Sequence, residues 1–269
     1  MSLIATKYYL TEVDKLSDSI YCYHDAMGEN LVQPHTHQKA QLLYTEGGVV
    51  HISIPEKTYF LPARHYLWIP AGVEHSIHAS SPDIIMRNLY FPTSQNDVDF
   101  YANTAIYPVN DLLMQLFLFS NRWHGDIVPS DIPNFTIALA IKALLPSISA
   151  FSLPLALPYP KDERLTKLID FMRNNLHNPI VFSEICQQFG FSQRSLSRLF
   201  QADLGMSFIQ FYTILRILKA LQLLLEEKLP VNDVAIMVGY SSIPTFSNTF
   251  YNLMGFRPSD YAKMKRVLE

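Results

Sequence analysis

Two arginines stand four residues apart in the stretch FGFSQRSLSRLFQADLG, which covers residues 189–205. Side chains four residues apart lie on the same face of a helix, so Arg194 and Arg198 would point the same way. A guanidinium group matches the acceptors of guanine in the major groove of DNA, and it pairs equally well with a phosphate. A solvated charged face is the alternative for such a pair, and the surrounding elements have to decide between the two.

The segment that carries the arginines occurs twice in the chain. A shift of fifty residues aligns SQRSLSRLFQADLG (192–205) with SIPTFSNTFYNLMG (242–255). Each copy predicts two short helices joined by a turn that contains glycine, which is the helix-turn-helix pattern. We place the two motifs at about 183–204 and 232–254, joined by an uninterrupted linker helix over 207–228.

Capping residues indicate where the helices of each copy begin. Ser183 and Asn232 are predicted to cap the first helix of their copies, and Ser192 and Ser242 the second. Pro244 then falls in the first turn of its helix, where its missing N–H costs nothing. The linker helix would be about 30 Å long, close to the ~34 Å of one DNA turn. It could therefore hold two recognition helices in successive major grooves.

These features resemble the DNA-binding domain of the arabinose-operon-regulator (AraC-type) family of transcriptional regulators. The matching signs run from about residue 165 to 264 and include VAIMVGYSSIPTFSNTFYNLMGFRPSDY. The resemblance implies a regulator rather than an enzyme, with double-stranded promoter DNA, a small-molecule effector, a second copy of the chain and RNA polymerase as partners. The residues that it places against DNA are Gln193, Arg194, Ser197 and Arg198 in the first copy, and Ile243, Pro244, Thr245, Ser247, Asn248 and Tyr251 in the second.

The second copy departs from the family in its charge. Family members often carry basic residues along the second recognition helix, whereas residues 242–255 hold none. Asn248 has the amide geometry that suits adenine, but it exerts no long-range attraction on DNA. We therefore expect the second motif to bind DNA more weakly than the first.

The first half of the chain combines histidines with a pattern of short strands. Eight of the nine histidines precede residue 161, and the stretch VVHISI alternates with the two-residue period of a half-buried strand. Proline and glycine break the region into short segments, which is typical of an antiparallel barrel or jelly roll. We place the strands at about residues 20–92 and two following helices at about 108–150.

The spacings His-x-His-x₃-Gln and Pro-x-Gly-x₂-His in this region are similar to the two motifs of the cupin family. By that resemblance His35, His37 and His75 meet inside the barrel. Gln41 stands where metal-binding cupins usually have glutamate, and Arg64 replaces the first glycine of the second motif. The candidate effector pocket comprises His35, His37, Gln41, Tyr44, Trp68 and His75, with core positions as the alternative for the two aromatic residues.

The three histidines admit two interpretations. They could bind Zn²⁺, Ni²⁺ or Fe²⁺, with Gln41 as a neutral fourth ligand. Alternatively, they line a pocket and bond to one another or to a polar effector, in which case no cofactor is required. A metal-dependent cupin enzyme, an oxygenase or isomerase, is the competing function, although it leaves the repeated motif unexplained.

The first predicted helix after the strands carries an excess of apolar residues. The stretch NDLLMQLFLFSNRW contains Leu112, Leu113, Leu116, Phe117 and Phe119, which is more apolar surface than one packing face needs. The excess is explained either by homodimerisation, which the family resemblance implies, or by burial against the barrel.

Charge divides the chain within the proline-rich stretch SLPLALPYPKDE. Residues 1–160 hold 8 Lys and Arg against 14 Asp and Glu, a net charge of −6, whereas residues 161–269 hold 13 against 10, a net charge of +3. The basic half favours a polyanion partner. We expect an α+β chain of two domains: an acidic cupin-like sensing and dimerisation domain, and a basic all-α domain with the double helix-turn-helix.

Composition also limits where the protein works. The two cysteines, Cys22 and Cys186, lie far apart without the spacing of a disulfide framework or a metal site, and no secretory pattern opens the chain. The apolar runs are interrupted before the roughly 18 to 20 residues that would span a bilayer. We therefore expect a cytoplasmic protein without a membrane partner.

Overall fold

The computed structural model describes residues 12–26, 31–80, 84–149 and 151–263. They form two compact units. The first unit runs to Pro55 and continues from Tyr59 to Leu153, and the second contains Glu56–Thr58 and continues from Pro154. The division after Leu153 falls within the proline-rich stretch.

The first unit is built from antiparallel strands in two sheets. The strands are β1 (Ile20–Ala26), β2 (Leu31–His35), β3 (Ala40–Glu46), β4 (Val49–Ser53), β5 (Lys57–Pro62), β6 (His65–Ile69), β7 (His75–Ala79), β8 (Ile85–Phe91), β9 (Ala105–Pro108) and β10 (Gly125–Ile127). One sheet has the order β10-β1-β8-β3-β6-β9 and the other the order β5-β4-β7-β2. The second unit contains one short strand among its described residues, β11 (Ala156–Pro158). The predicted antiparallel β architecture is confirmed, as two sheets rather than one continuous barrel wall.

Two helices, α1 (Asp111–Ser120) and α2 (Ile132–Ile148), cover the outer face of the six-stranded sheet. Leu113 and Phe117 of α1 are buried there, while Leu112 remains 51% exposed. Most of the apolar excess predicted for this helix is therefore used against the sheet. Because helices cover one face of the sheet and β strands the other, every residue of β3 is buried.

The second unit is helical. Its helices are α3 (Glu163–Asn174), α4 (Phe182–Gln188), α5 (Gln193–Leu204), α6 (Phe208–Leu225), α7 (Val231–Met237), α8 (Ile243–Met254) and α9 (Pro258–Ala262). Helices α4 and α5 form the first helix-turn-helix motif, α7 and α8 form the second, and α6 lies between them in the chain. The predicted helical fold of this domain is confirmed.

Helix α6 is the core helix that both motifs share. The ring of Phe208 packs on Phe182 and Phe200 of the first motif, with ring centroids 4.8 and 5.5 Å apart. Farther along the helix, Arg216 reaches the turn of the second motif. Helix α6 therefore contacts both motifs, the first through aromatic packing and the second through Arg216.

Helix α6 is also, among the described residues, the one helix long and apolar enough to cross a membrane. This finding corrects the expectation that no apolar run reaches that length; Arg216 and Lys219 interrupt the run without ending it. Most of the helix is buried inside the unit. Burial of this kind is typical of a core helix.

The helix caps follow the sequence in part. Ser192 and Ser242 cap α5 and α8 by accepting bonds from backbone N–H groups. Ser183 and Asn232 were wrongly predicted as caps, because α4 and α7 begin two residues earlier than those caps require. Extended residues, Val181 and Pro230, occupy the two cap positions, so the polar residues lie inside the first turn.

Candidate nucleic-acid interface and effector site

Helix α5 has one buried face and one exposed face. Leu196, Phe200 and Leu204 are buried, which fixes the rotation of the helix. Gln193, Arg194, Ser197 and Arg198 are all exposed on the other side. Within the part of the chain that the structure describes, no carboxylate forms a salt bridge with either arginine. Both guanidinium groups are available to an anionic partner.

Helix α8 repeats this arrangement with other side chains. Phe246, Phe250 and Met254 are buried at the positions that match the buried face of α5. The predicted DNA-contacting residues of α8 lie on the opposite side, where Ile243, Pro244, Thr245, Asn248 and Tyr251 are exposed and Ser247 is half-buried. None of these residues is cationic.

A cation reaches this face from outside the helix. The Nη1 atom of Arg257 donates to Asn248 Oδ1 at 2.7 Å and to Ser247 Oγ at 3.4 Å. Its Cζ atom lies 4.6 Å from the ring centroid of Tyr251, a cation–π distance. The surface of the second recognition helix therefore carries a positive charge, contrary to the impression given by residues 242–255 alone.

The sequence pattern missed Arg257 because it lies nine positions after Asn248 and beyond the end of α8, so helical spacing does not place the two residues together. Gly255 ends α8 in the left-handed conformation, with φ 76°, and this turn brings the chain back towards the helix. The fifty-residue repeat offered one signal for Arg257, because it aligns this residue with Ser207, which caps α6. An arginine in place of a capping serine marks a position where the two copies differ in charge.

The turn of the second motif is held from α6. Arg216 Nε donates to the carbonyl of Val238 at 2.5 Å, and its Cζ atom lies 3.3 Å from the ring centroid of Tyr240. Burial lowers the pKa of the Arg216 guanidinium. Gly239, between these two contacts, has φ 77°, and a Cβ atom there would lie 2.5 Å from the carbonyl oxygen of Leu176. Arg216 is thus a structural residue of the interface.

The first unit brings the predicted histidines together. His35, at the end of β2, is the register partner of His75, at the start of β7. His37 follows β2, and the ligand nitrogens of the three imidazoles lie within 4.8 Å of one another. All three side chains are buried.

Backbone carbonyls fix the orientation of each imidazole. The Nδ1 atom of His35 donates to Gln33, that of His37 to Lys39 and that of His75 to Val73. Burial lowers the pKa of His75 to about 3, and it lowers the pKa values of His35 and His37 as well. At neutral pH the rings are therefore uncharged, with Nε2 as the atom that carries the lone pair.

Gln41 completes the cluster from the opposite sheet. Its Oε1 atom lies 3.0 Å from His75 Nε2 and 3.3 Å from His37 Nε2. Its Nε2 atom donates to Asn88 Oδ1 at 2.8 Å and to Tyr90 Oη at 3.2 Å. The side chain is fully buried, so the network holds its amide in place.

The structure does not bring Tyr44 and Trp68 to the histidines. Tyr44 is three residues from Gln41 along β3, and successive residues of a strand alternate between faces. Trp68 is the register partner of Leu42, on the helix-covered face. Tyr44 stacks on Phe117 of α1, and both aromatic residues belong to the core beneath the helices. The prediction that they line the pocket is corrected in favour of its core alternative.

An open pocket of about 220 Å³ borders the cluster at His75. Its lining residues are Pro34, Ser53, Ile54, Pro55, Glu74, His75 and Ser76. Glu74 is exposed at the mouth, next in the chain to the buried His75. Of the three clustered histidines, His75 is the one that lines this pocket.

Comparisons with known proteins match both units. Residues 19–97 match the family model for an AraC-like ligand binding domain, and residues 185–264 match a model for a helix-turn-helix domain. The chain is 25% identical over 251 residues to the HTH-type transcriptional regulator NimR of Escherichia coli (strain K12), covering 90% of this chain and 86% of that protein. It is likewise 25% identical over 260 residues to the HTH-type transcriptional activator RhaR of Enterobacter sp. (strain 638), covering 90% and 91%.

A solved structure, the C-terminal domain of the response regulator AraT from Geobacillus stearothermophilus, is 28% identical, with a TM-score of 0.38; the match covers 40% of this chain and 90% of that one. The family assignment rests instead on the two family models and the full-length relatives. These relatives are named as transcriptional regulators, which leaves the cupin-enzyme alternative without support. The chain, with a ligand-binding domain followed by a DNA-binding helix-turn-helix domain, belongs to the AraC family of transcriptional regulators.

Proposed function

We propose that this regulator reads promoter DNA with α5 and α8 together, and that α5 supplies most of the binding free energy. The observation that supports this assignment is the pair Arg194 and Arg198, exposed on a helix whose other face is buried. Charge-assisted bonds from such arginines to a base edge or a phosphate are the strong contacts of an interface of this kind.

At the second recognition helix, two different residues supply the attraction to DNA and the recognition of a base. Arg257 supplies the attraction to the phosphate backbone, while Asn248 reads a base. The bond from Arg257 occupies one lone pair of Asn248 Oδ1. The other lone pair and the Nδ2 group remain for the N6 and N7 edge of adenine, which an asparagine recognises in the major groove. Arg257 thereby orients the side chain that carries the sequence information.

We further propose that the first unit senses a small effector and that the regulator works in the cytoplasm as a homodimer acting with RNA polymerase. The family gives the general support for these partners. Exposed apolar side chains on the two helices of the first unit add support for a dimer: Leu112 on α1, and Ile132 and Leu139 on α2.

The test is binding of the purified full-length chain to duplexes selected from a random library, followed by titration of one selected duplex over a range of salt. We expect enrichment of a defined sequence and a linear fall of log affinity with log salt concentration. A folded chain that enriches no duplex above background would contradict the proposal.

A further inference from the structure

We propose that His35, His37, His75 and Gln41 bind a divalent first-row transition metal ion, and that this ion is the signal sensed by the first unit. The binding site stands on the geometry of the four side chains. Only the sensing role rests on the proposed function.

The four donor atoms have nearly the spacing that such an ion requires. A tetrahedral ion with bonds of about 2.0 to 2.1 Å holds its ligand atoms roughly 3.4 Å apart. Gln41 Oε1 lies 3.0 and 3.3 Å from two of the imidazole nitrogens, and the three nitrogens lie within 4.8 Å of one another. Small side-chain shifts would bring all four donor atoms within bonding distance of one metal ion.

The hydrogen bonds at the back of the rings aim the lone pairs at that centre. Each Nδ1–H donates to a backbone carbonyl, so each Nε2 presents a lone pair to the cluster. Gln41 Oε1 adds another acceptor beside His37 and His75. Acceptors that face one another repel, and a cation among them gives all of them a common partner. Metal-binding histidines are held by their second nitrogen in the same way.

The donor set defines the class of ion. Three imidazoles and one amide oxygen suit Zn²⁺, Ni²⁺ or Fe²⁺, whereas Mg²⁺ and Ca²⁺ favour sites made of oxygen atoms. All four donors are neutral, so the ion keeps its full charge and binds less tightly than beside a carboxylate. Asp14, whose charge acts on His37, and Glu74 at the pocket mouth provide nearby negative charge. A site of moderate affinity suits a reversible sensor.

A competing arrangement satisfies the cluster without an ion. If the amides of Gln41 and Asn88 are both turned over, Gln41 Nε2 donates to His37 and His75. Asn88 Nδ2, a buried group without a hydrogen-bond partner among the described residues, then donates to Gln41 Oε1. This arrangement predicts a closed hydrogen-bond network that binds no metal, so the two alternatives are separated by direct measurement.

The experiment is equilibrium dialysis of the metal-free full-length chain against Zn²⁺, with Co²⁺ as a spectroscopic probe. We expect one ion per chain and the visible absorption of a four-coordinate Co²⁺ site. The variant His75→Ala should lose about 100-fold or more in affinity, at least the loss caused by removing an outer-shell partner. His78→Ala removes an exposed histidine from the same strand and should bind as the wild type does.

The variant Gln41→Glu tests the site without deleting a ligand. A carboxylate adds negative charge to the donor set, so Zn²⁺ affinity should rise by about tenfold or more, and Zn²⁺ should raise Tm more than in the wild type. In the ion-free network the same change removes both amide donors and creates no such gain. Absence of Zn²⁺ and Co²⁺ binding in the wild type would overturn the site, whether or not Gln41→Glu binds either ion.

DNA titrations separate the site from its role. With the selected duplex, Zn²⁺ should change the DNA affinity of the wild type about 5- to 150-fold and leave His75→Ala unchanged. Stoichiometric metal binding with unchanged DNA affinity would overturn the sensing role and support the site. A chain that binds the metal but no DNA would contradict the proposed function and still support the site.

Discussion

The two helix-turn-helix motifs have nearly the same backbone plan but place their positive charges differently. In the first motif Arg194 and Arg198 extend from the recognition helix itself, and the residue after its C-terminal turn, Ser207, caps α6. In the second motif the recognition helix is uncharged, and the counterpart of Ser207 is Arg257, which reaches back to Asn248. The repeat preserves the buried positions, while the exposed positive charge lies on the helix in the first motif and on the following turn in the second.

The two motifs also differ in the arginine that lies beside the turn between their helices. Arg164 lies 5.2 Å from the ring centroid of Phe191 beside the first turn, but its side chain is 68% exposed and pairs with Asp162. Arg216 performs the corresponding role at the second turn from a half-buried position. The cation beside the first turn is therefore exposed, whereas a half-buried cation holds the second turn.

The largest difference is expected when the two turn glycines are replaced. Both have left-handed φ angles, so alanine costs about 1 to 2 kcal/mol at either position. The new Cβ atom meets nothing within 4 Å at Gly190, whereas at Gly239 it lies 2.5 Å from the backbone of Leu176. We expect Gly239→Ala to lower the free energy of unfolding by about 3 kcal/mol or more, and Gly190→Ala by about 1 to 2. Urea unfolding followed by circular dichroism compares the two, and equal losses would contradict the proposed difference.

The next effect concerns the cations of the first motif. Arg194→Ala and Arg198→Ala should each cost roughly 1 to 3 kcal/mol of specific DNA binding. An arginine that contacts phosphate should also reduce the salt slope by about one unit. Titration of one selected duplex at several salt concentrations gives both quantities. The variant Lys167→Ala removes an exposed charge from α3 and serves as the control.

Arg257→Ala sharpens the comparison between the motifs. We expect a loss of about 1 kcal/mol in DNA binding and a salt slope that is smaller by about one unit, because the variant removes one phosphate contact. Arg257→Lys keeps the charge but not the planar fork, so it should restore the salt slope and only part of the affinity. A salt slope unaffected by Arg257→Ala would show that this arginine only orients its neighbours.

The smallest effect is expected for Asn248→Ala. This change should cost less than the loss of either arginine of α5 and should relax the preference for one base pair. The salt slope should stay unchanged, because the amide carries no charge. Binding to duplexes that differ at single positions identifies the base pair concerned. A greater loss than that of Arg194→Ala or Arg198→Ala would overturn the proposed division of labour.

The sequence predicted those features of the fold that depend on local signals. The buried faces of α5 and α8 follow from apolar spacing, and Ser192 and Ser242 cap the helices because each bonds within its own first turn. Arg64 adopts φ 65°, in the left-handed region that favours glycine, at the position where the cupin motif has a glycine, so the motif spacing located this turn despite the substitution.

The features that the sequence missed depend on how distant segments meet. Arg257 joins the second recognition surface only because the chain reverses at Gly255. Tyr44 and Trp68 were placed in the pocket by residue type, although the position of Tyr44 three residues from Gln41 already put it on the other face of the strand. The bonds from each imidazole to a backbone carbonyl require the folded loops and have no pattern of their own.

The sharing of helix α6 by both motifs has a consequence for the promoter. Both motifs pack on one helix, so if both recognition helices read DNA as proposed, the protein sets the distance and rotation between the two sequences that they read. Each base pair inserted between those sequences turns the second one by roughly 34° around the duplex axis. An insertion of half a turn would place it on the far side of the DNA, where α8 could reach it only if the duplex were strongly twisted.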